Sequence, residues 1–85
     1  LLAPAGCGEK ELPPEVTPRS MKFNEVPAAI LKTARQRRPD VKFVEAWTNI
    51  SQDGKIHSYE IRGRLANGKI GELRISPAGE VLESE

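Results

Sequence analysis

The chain has 85 residues and a mass of 9.4 kDa, with 38% hydrophobic residues, 29% charged residues and a formal net charge of +1. That is room for one small domain, and not for two cores or a deep catalytic cleft. No run approaches the ~20 apolar residues of a membrane span, near-neutral charge argues against nucleic acid, where phosphate neutralisation drives binding, and one cysteine with one histidine builds neither an internal disulfide nor a histidine-rich metal cage.

The chain opens Leu1-Leu2-Ala3-Pro4-Ala5-Gly6-Cys7. Small residues at Ala5 and Gly6 before a cysteine are what a lipoprotein signal peptidase accepts. Residues 1–7 therefore read as the end of a bacterial lipoprotein signal, with Cys7 the acylated residue. Pro4 stands where such signals usually carry a leucine-type side chain, and the alternative for Cys7 is an incidental thiol. The basic part of such a signal and most of its apolar part are expected upstream of Leu1. The implied location is the bacterial cell envelope, facing the periplasm or exterior, with the membrane reached through a lipid anchor. Residues 8–20 mix Pro13, Pro14 and Pro18 with Gly8 and charged side chains, without apolar periodicity, and read as a flexible Pro-rich tether. The folded unit is expected over 21–85.

The first element of that unit is a helix. Pro27 suits a first helical turn, where its missing N–H is not needed. Val26, Ile30, Leu31 and Ala34 share a face, and Lys32, Arg35 and Gln36 turn away from it. Arg35, Arg37 and Arg38 fall in the last turn, where cations suit the carbonyl end of the dipole. Pro39 disfavours helical geometry at Arg38 and ends the element. Residues 21–40 hold five basic and two acidic side chains, the one basic block of the chain.

After Asp40 the apolar period changes from that of a helix to that of a strand. Residues 41–50 are rich in β-branched and aromatic side chains, but their alternation fails: Val41, Phe43 and Trp47 fall on one face, Val44, Ala46 and Ile50 on the other. A bulge, or burial of both faces, would account for that. Asp53-Gly54 predicts a hairpin turn. Tyr59, Ile61 and Leu65 then alternate against Ser58, Glu60, Arg62 and Arg64. Asn67-Gly68 predicts the next hairpin, followed by Leu73 and Ile75 against Glu72 and Arg74. Ser76-Pro77-Ala78-Gly79 reads as a further turn into a short strand beginning at Val81 and Leu82. The expected fold is α+β: a two-layer sandwich with one helix packed on a four-stranded antiparallel meander, in the order α-β-β-β-β. The uncovered face would carry Ser58, Glu60, Arg62, Arg64, Glu72 and Arg74, solvated or serving as a polar binding surface.

The run Phe23-Asn24-Glu25-Val26-Pro27-Ala28-Ala29-Ile30 is followed by Arg38-Pro39-Asp40 and the strand to Trp47. Then come Asp53-Gly54-Lys55, Tyr59-Glu60-Ile61, Asn67-Gly68-Lys69 and Gly79-Glu80-Val81-Leu82. This order resembles the PepSY-like domains, in particular the branch described as β-lactamase-inhibitor-like, over residues 21–83. Each motif is ordinary turn chemistry, and their order and spacing carry the likeness. The resemblance implies a secreted or envelope protein that binds or inhibits other proteins, with no catalytic residue to carry over. Some members hold two such units in tandem. This chain holds one, and a second copy pairing with it is a candidate partner alongside an envelope enzyme.

Trp47 and Tyr59 are candidate partner anchors, because aromatic residues dominate interface hot spots, and the competing expectation is that both pack against the helix. Trp47 is the stronger candidate, since the alternation fails around it. Arg62, Arg64 and Arg74 join them on the polar face. Lys32, Arg35, Arg37 and Arg38 are candidates for contact with an anionic surface, against the plainer reading of a solvated helix end. His57 and Ser58 are adjacent in a strand and so are expected on opposite faces, unable to form a base–nucleophile pair. The carboxylates look scattered over exposed strand faces, with nothing to separate their pKa values. No cofactor, metal site or catalytic residue is expected.

Overall fold

The computed structural model describes Pro13 and residues 15–85. Cys7 and, of the expected tether, residues 8–12 and 14 lie outside the described residues. Five strands, β1 (Thr17–Met21), β2 (Lys42–Ile50), β3 (Ile56–Arg64), β4 (Ile70–Ile75) and β5 (Val81–Ser84), form one antiparallel sheet in chain order. A 3-10 turn (Phe23–Glu25) and helix α1 (Ala28–Arg37) occupy the β1–β2 connection. The α+β class is as expected, but the sheet has five strands rather than four, and a strand rather than the helix comes first.

The extra strand explains itself. Thr17–Met21 pairs with Ala46–Ile50 along an edge of the sheet, and its residues are exposed up to Met21. A strand that serves only as an edge needs no apolar alternation, and it tolerates a proline, here Pro18, that a central strand would not. Those two properties made residues 17–20 resemble a tether.

Helix α1 covers one sheet face. Ile30 and Ala34, with Val26 just before the helix, bury against Phe43, Ala46, Tyr59, Ile61, Leu73 and Ile75. Ile61, Leu73 and Ile75 lose all exposure. The helix stops at Arg37, and Arg38 leaves helical geometry at φ −131° and ψ 74° ahead of Pro39. Turns at Gly54, Gly68 and Gly79, with φ of 85°, 85° and 95°, close the three hairpins.

The disputed alternation in β2 is resolved by a bulge. Lys42 and Phe43 pair with Arg64 and Gly63, but Glu45 pairs with Arg62, leaving Val44 as the additional residue. Phe43 and Ala46 thereby share the core face, and Trp47 turns to the open one. Two glycines permit the bend. Gly63 faces Gly71 across β3 and β4. A Cβ on Gly63 would collide with the Lys42 carbonyl, and one on Gly71 with the Val41 side chain. The start of β2 can press onto the sheet only because both side chains are missing.

Candidate functional site

Cross-strand register places two charged rows on the face away from α1. One runs Trp47, Glu60, Arg74, Glu83, and the other Glu45, Arg62, Glu72. Glu60, Arg62, Glu72 and Arg74 thus share this face, but only part of it is solvated.

The half toward β5 is closed on itself. Arg74 Nε lies 3.4 Å from Glu60 Oε1, and Arg74 Nη1 lies 2.7 Å from Glu83 Oε1, an ion contact without the alignment of a hydrogen bond. Glu60, Glu72, Arg74, Glu83 and Glu85 surround a cavity of about 50 Å³. Burial raises the Glu72 pKa to about 7, and a hydrogen bond with Glu60 and the Glu60 charge add to the rise against the opposing pull of Arg62. Burial also acts to raise Glu60, but the Glu72 hydrogen bond, the Arg74 charge and the Asn49 amide outweigh it and hold Glu60 below its ordinary value. The two carboxyl groups therefore share one proton near neutrality. Sequence reasoning expected no such separation, because these residues become neighbours only through the β3–β4 register.

His57 and Ser58 also depart from expectation. Asn49 pairs with Ser58 and Ile50 with Ile56, so His57 is the additional residue of a second bulge. The bulge re-aims its ring, and His57 Nδ1 lies 2.9 Å from Ser58 Oγ. Asn49 Nδ2 donates to the same oxygen at 3.0 Å. In the tautomer with hydrogen on Nε2, the Ser58 hydroxyl donates to His57. Ser58 is fully buried, so this serine is spent within the sheet rather than offered to a substrate.

The half toward the start of β2 is open. Val44 is 53% exposed and Ile70 50%, both large aliphatic side chains on a surface otherwise rich in charge. Val44, Glu45, Arg62, Arg64 and Ile70 line a depression of about 150 Å³. Val44 also borders a groove of about 520 Å³ with Val41, Lys42, Arg64 and Leu65. Arg64 Nη1 donates to the Gly68 carbonyl at 2.7 Å, which fixes the guanidinium at the rim. Trp47 stands at the boundary of the two halves, half-buried, with the Arg62 guanidinium 4.6 Å above its ring.

Of the candidate partner residues, Trp47, Arg62 and Arg64 come together on this open half. Arg74 is held by Glu60 and Glu83 in the closed half. Tyr59 points the other way and packs in the core beneath α1. Lys42, Val44 and Ile70 were missed. The failed alternation at residues 43–46 signalled Val44, and Ile70 is brought beside Arg64 only by the β3–β4 register.

At the helix end, Lys32, Arg35 and Arg37 are exposed and pair with no carboxylate among the described residues. Arg38 separates from them. It forms a double hydrogen bond with Asp40, at 2.9 and 3.0 Å, and donates to the Glu85 carbonyl at 2.9 Å. The pairing holds Asp40 below the usual carboxylate range. Arg38 thus ties the end of the helix to the end of β5.

Among the described residues no cluster of three or more His, Cys, Asp or Glu side chains is arranged to hold a metal ion, and no helix is long and apolar enough to cross a membrane. No protein-family model, curated protein or solved structure matches the chain.

Proposed function

We propose that the chain is a non-enzymatic protein-binding module of the bacterial cell envelope, anchored through acylated Cys7, that inhibits or regulates an envelope or secreted enzyme such as a peptidase. The observation that carries this reading is the uncovered sheet half where Val44 and Ile70 stand exposed beside Arg62, whose guanidinium lies over the Trp47 ring. Apolar side chains grouped on an exposed surface mark contact sites, and tryptophan with arginine supplies the usual energetic centre of such contacts. The PepSY-like resemblance of residues 21–83 supports the same reading.

Affinity capture from envelope extract tests it. The wild-type chain retains a stoichiometric partner, and Trp47→Ala and Val44→Asp both lose it while keeping the fold. Retention by both variants places the contact elsewhere. The anchor has its own test: a fatty-acid probe labels the full-length protein, and Cys7→Ser abolishes the label. Equal labelling of the two would remove the anchor.

One observation favours a second reading, a structural, lipid-proximal envelope component. Lys32, Arg35 and Arg37 form an exposed cationic helix end. On that reading, reversing charge at Arg35 and Arg37 releases the domain from anionic vesicles, and no stoichiometric enzyme partner is captured.

A further inference from the structure

The exposed half of the open face has a charge as well as a shape. Lys42 and Arg64 border Val44, Arg64 pairs across the strands with Ile70, and both cations are exposed and without an ion pair among the described residues. Asp40 lines the adjoining groove, but its carboxylate is engaged by Arg38. Glu45 is the remaining nearby anion, so the local balance is positive. Arg62 lies 3.3 Å from Glu72 and adds no negative charge to that balance.

The two aliphatic side chains are not a protruding tip. Val44 stands between the depression and the groove, with Arg64 lining both. A concave, cation-rimmed apolar surface fits a side chain presented from an extended backbone, with acidic neighbours reaching the rim. A lipid bilayer instead receives apolar groups that project outward.

Placement points the same way. β1 enters the sheet at Thr17, beside Ile50 at the end of β2, whereas Lys42 and Val44 lie at its start. The eight steps from Lys42 to Ile50, at ~3.3 Å each, put these ends roughly 26 Å apart. The patch therefore faces away from the point where the chain enters the fold.

Resting on the protein-binding reading above, we propose that this patch takes an extended acidic segment of its partner, seating one apolar side chain between Val44 and Ile70 and placing flanking carboxylates against Lys42 and Arg64. Electrostatic complementarity of this kind selects partners more than it adds affinity. The cations should therefore decide which sequence binds, and the aliphatic pair whether anything binds.

The test titrates the isotope-labelled full chain with a capped peptide of alternating leucine and glutamate, the same peptide with lysine for glutamate, and phosphatidylglycerol vesicles. The glutamate peptide shifts the resonances of Val44, Arg64 and Ile70 saturably and binds at least tenfold tighter than the lysine peptide. Val44→Asp removes the binding. The double substitution Lys42→Glu with Arg64→Glu reverses the preference and leaves the amide spectrum of the core residues intact. Equal binding of both peptides, shifts confined to α1, or binding to vesicles alone would overturn the proposal. Failure of the glutamate peptide while Val44→Asp still abolishes capture of the envelope partner would reject the acidic class and leave the binding module standing.

Discussion

The Arg62 guanidinium lies 4.6 Å above the Trp47 ring and at the same time reaches Glu72 Oε2 at 3.3 Å. One side chain thus connects the solvent-facing half of the open face to its closed carboxylate half. It also stacks over the indole face of Trp47. Replacing Arg62 with leucine keeps the apolar cover and removes the cation. A loss of about 1 kcal/mol is expected, or a melting temperature lower by roughly 4–8 °C, with a change in Trp47 fluorescence. An unaltered emission spectrum would show that the stacking is absent in solution.

Stability should depend on pH through Glu72. Its pKa rises from 4.5 to about 7 on folding, so the folded chain holds a proton that the unfolded chain releases. The resulting stabilisation is complete below the unfolded value and is lost as pH rises from 4.5 through about 7. Glu60 acts with the opposite sign, since its lowered pKa gives stability that disappears in acid. The melting temperature should therefore peak in mildly acidic buffer and fall toward neutrality, by an amount on the order of 5 °C. Glu72→Gln, which keeps a hydrogen-bonding amide without ionising, should flatten the descending limb. The same descent in that variant would assign it to another group.

The two kinds of glycine should respond differently to alanine. At Gly63 a Cβ meets the backbone of Lys42 and Phe43, which cannot yield without undoing the β2 bend. Gly63→Ala should cost about 3 kcal/mol or more, in the overpacking range, and lower the urea midpoint accordingly. At Gly68 nothing lies within 4 Å of a Cβ, and the penalty comes from the φ of +85° alone. Gly68→Ala should cost about 1 kcal/mol. Equal losses would mean that the β2 crossing relaxes without penalty.

The helix bracketed by Pro27 and Pro39 and the three glycine turns were readable from sequence because each rests on local backbone chemistry. The same holds for the core positions Ile30, Ala34, Ile61, Leu73 and Ile75, whose spacing matches their elements. β1 escaped because an edge strand with one partner and a proline carries no periodic signal. The open patch was only half visible. Trp47, Arg62 and Arg64 stood out by residue type, but Val44 becomes exposed through a bulge, and Ile70 joins it by pairing with Arg64 across the β3–β4 hairpin. The Glu60–Glu72 pair and the His57–Ser58 contact are likewise products of strand pairing and a bulge. Sequence spacing placed His57 and Ser58 on opposite faces, and the bulge brought them together.

Arg38 should prove structural. Its bonds to Asp40 and to the Glu85 carbonyl fasten the last strand to the helix end. Arg38→Ala should accelerate hydrogen exchange at the Glu72 and Glu85 amides, which pair with each other's carbonyls, by roughly fivefold or more. Vesicle binding through Lys32, Arg35 and Arg37 should be unchanged. A loss of vesicle binding in Arg38→Ala with unaltered exchange would return Arg38 to the cationic surface.

The central claim is that the open face around Val44 meets a protein partner. The most direct measurement places a photo-crosslinking amino acid at Val44 in cells producing the full chain, with the same residue at Lys55, in the exposed β2–β3 turn at the far end of the sheet, as control. The account predicts one discrete higher-mass adduct from position 44, none from position 55, and its disappearance when Trp47→Ala is added. No adduct at 44, or the same adducts from both positions, would contradict it.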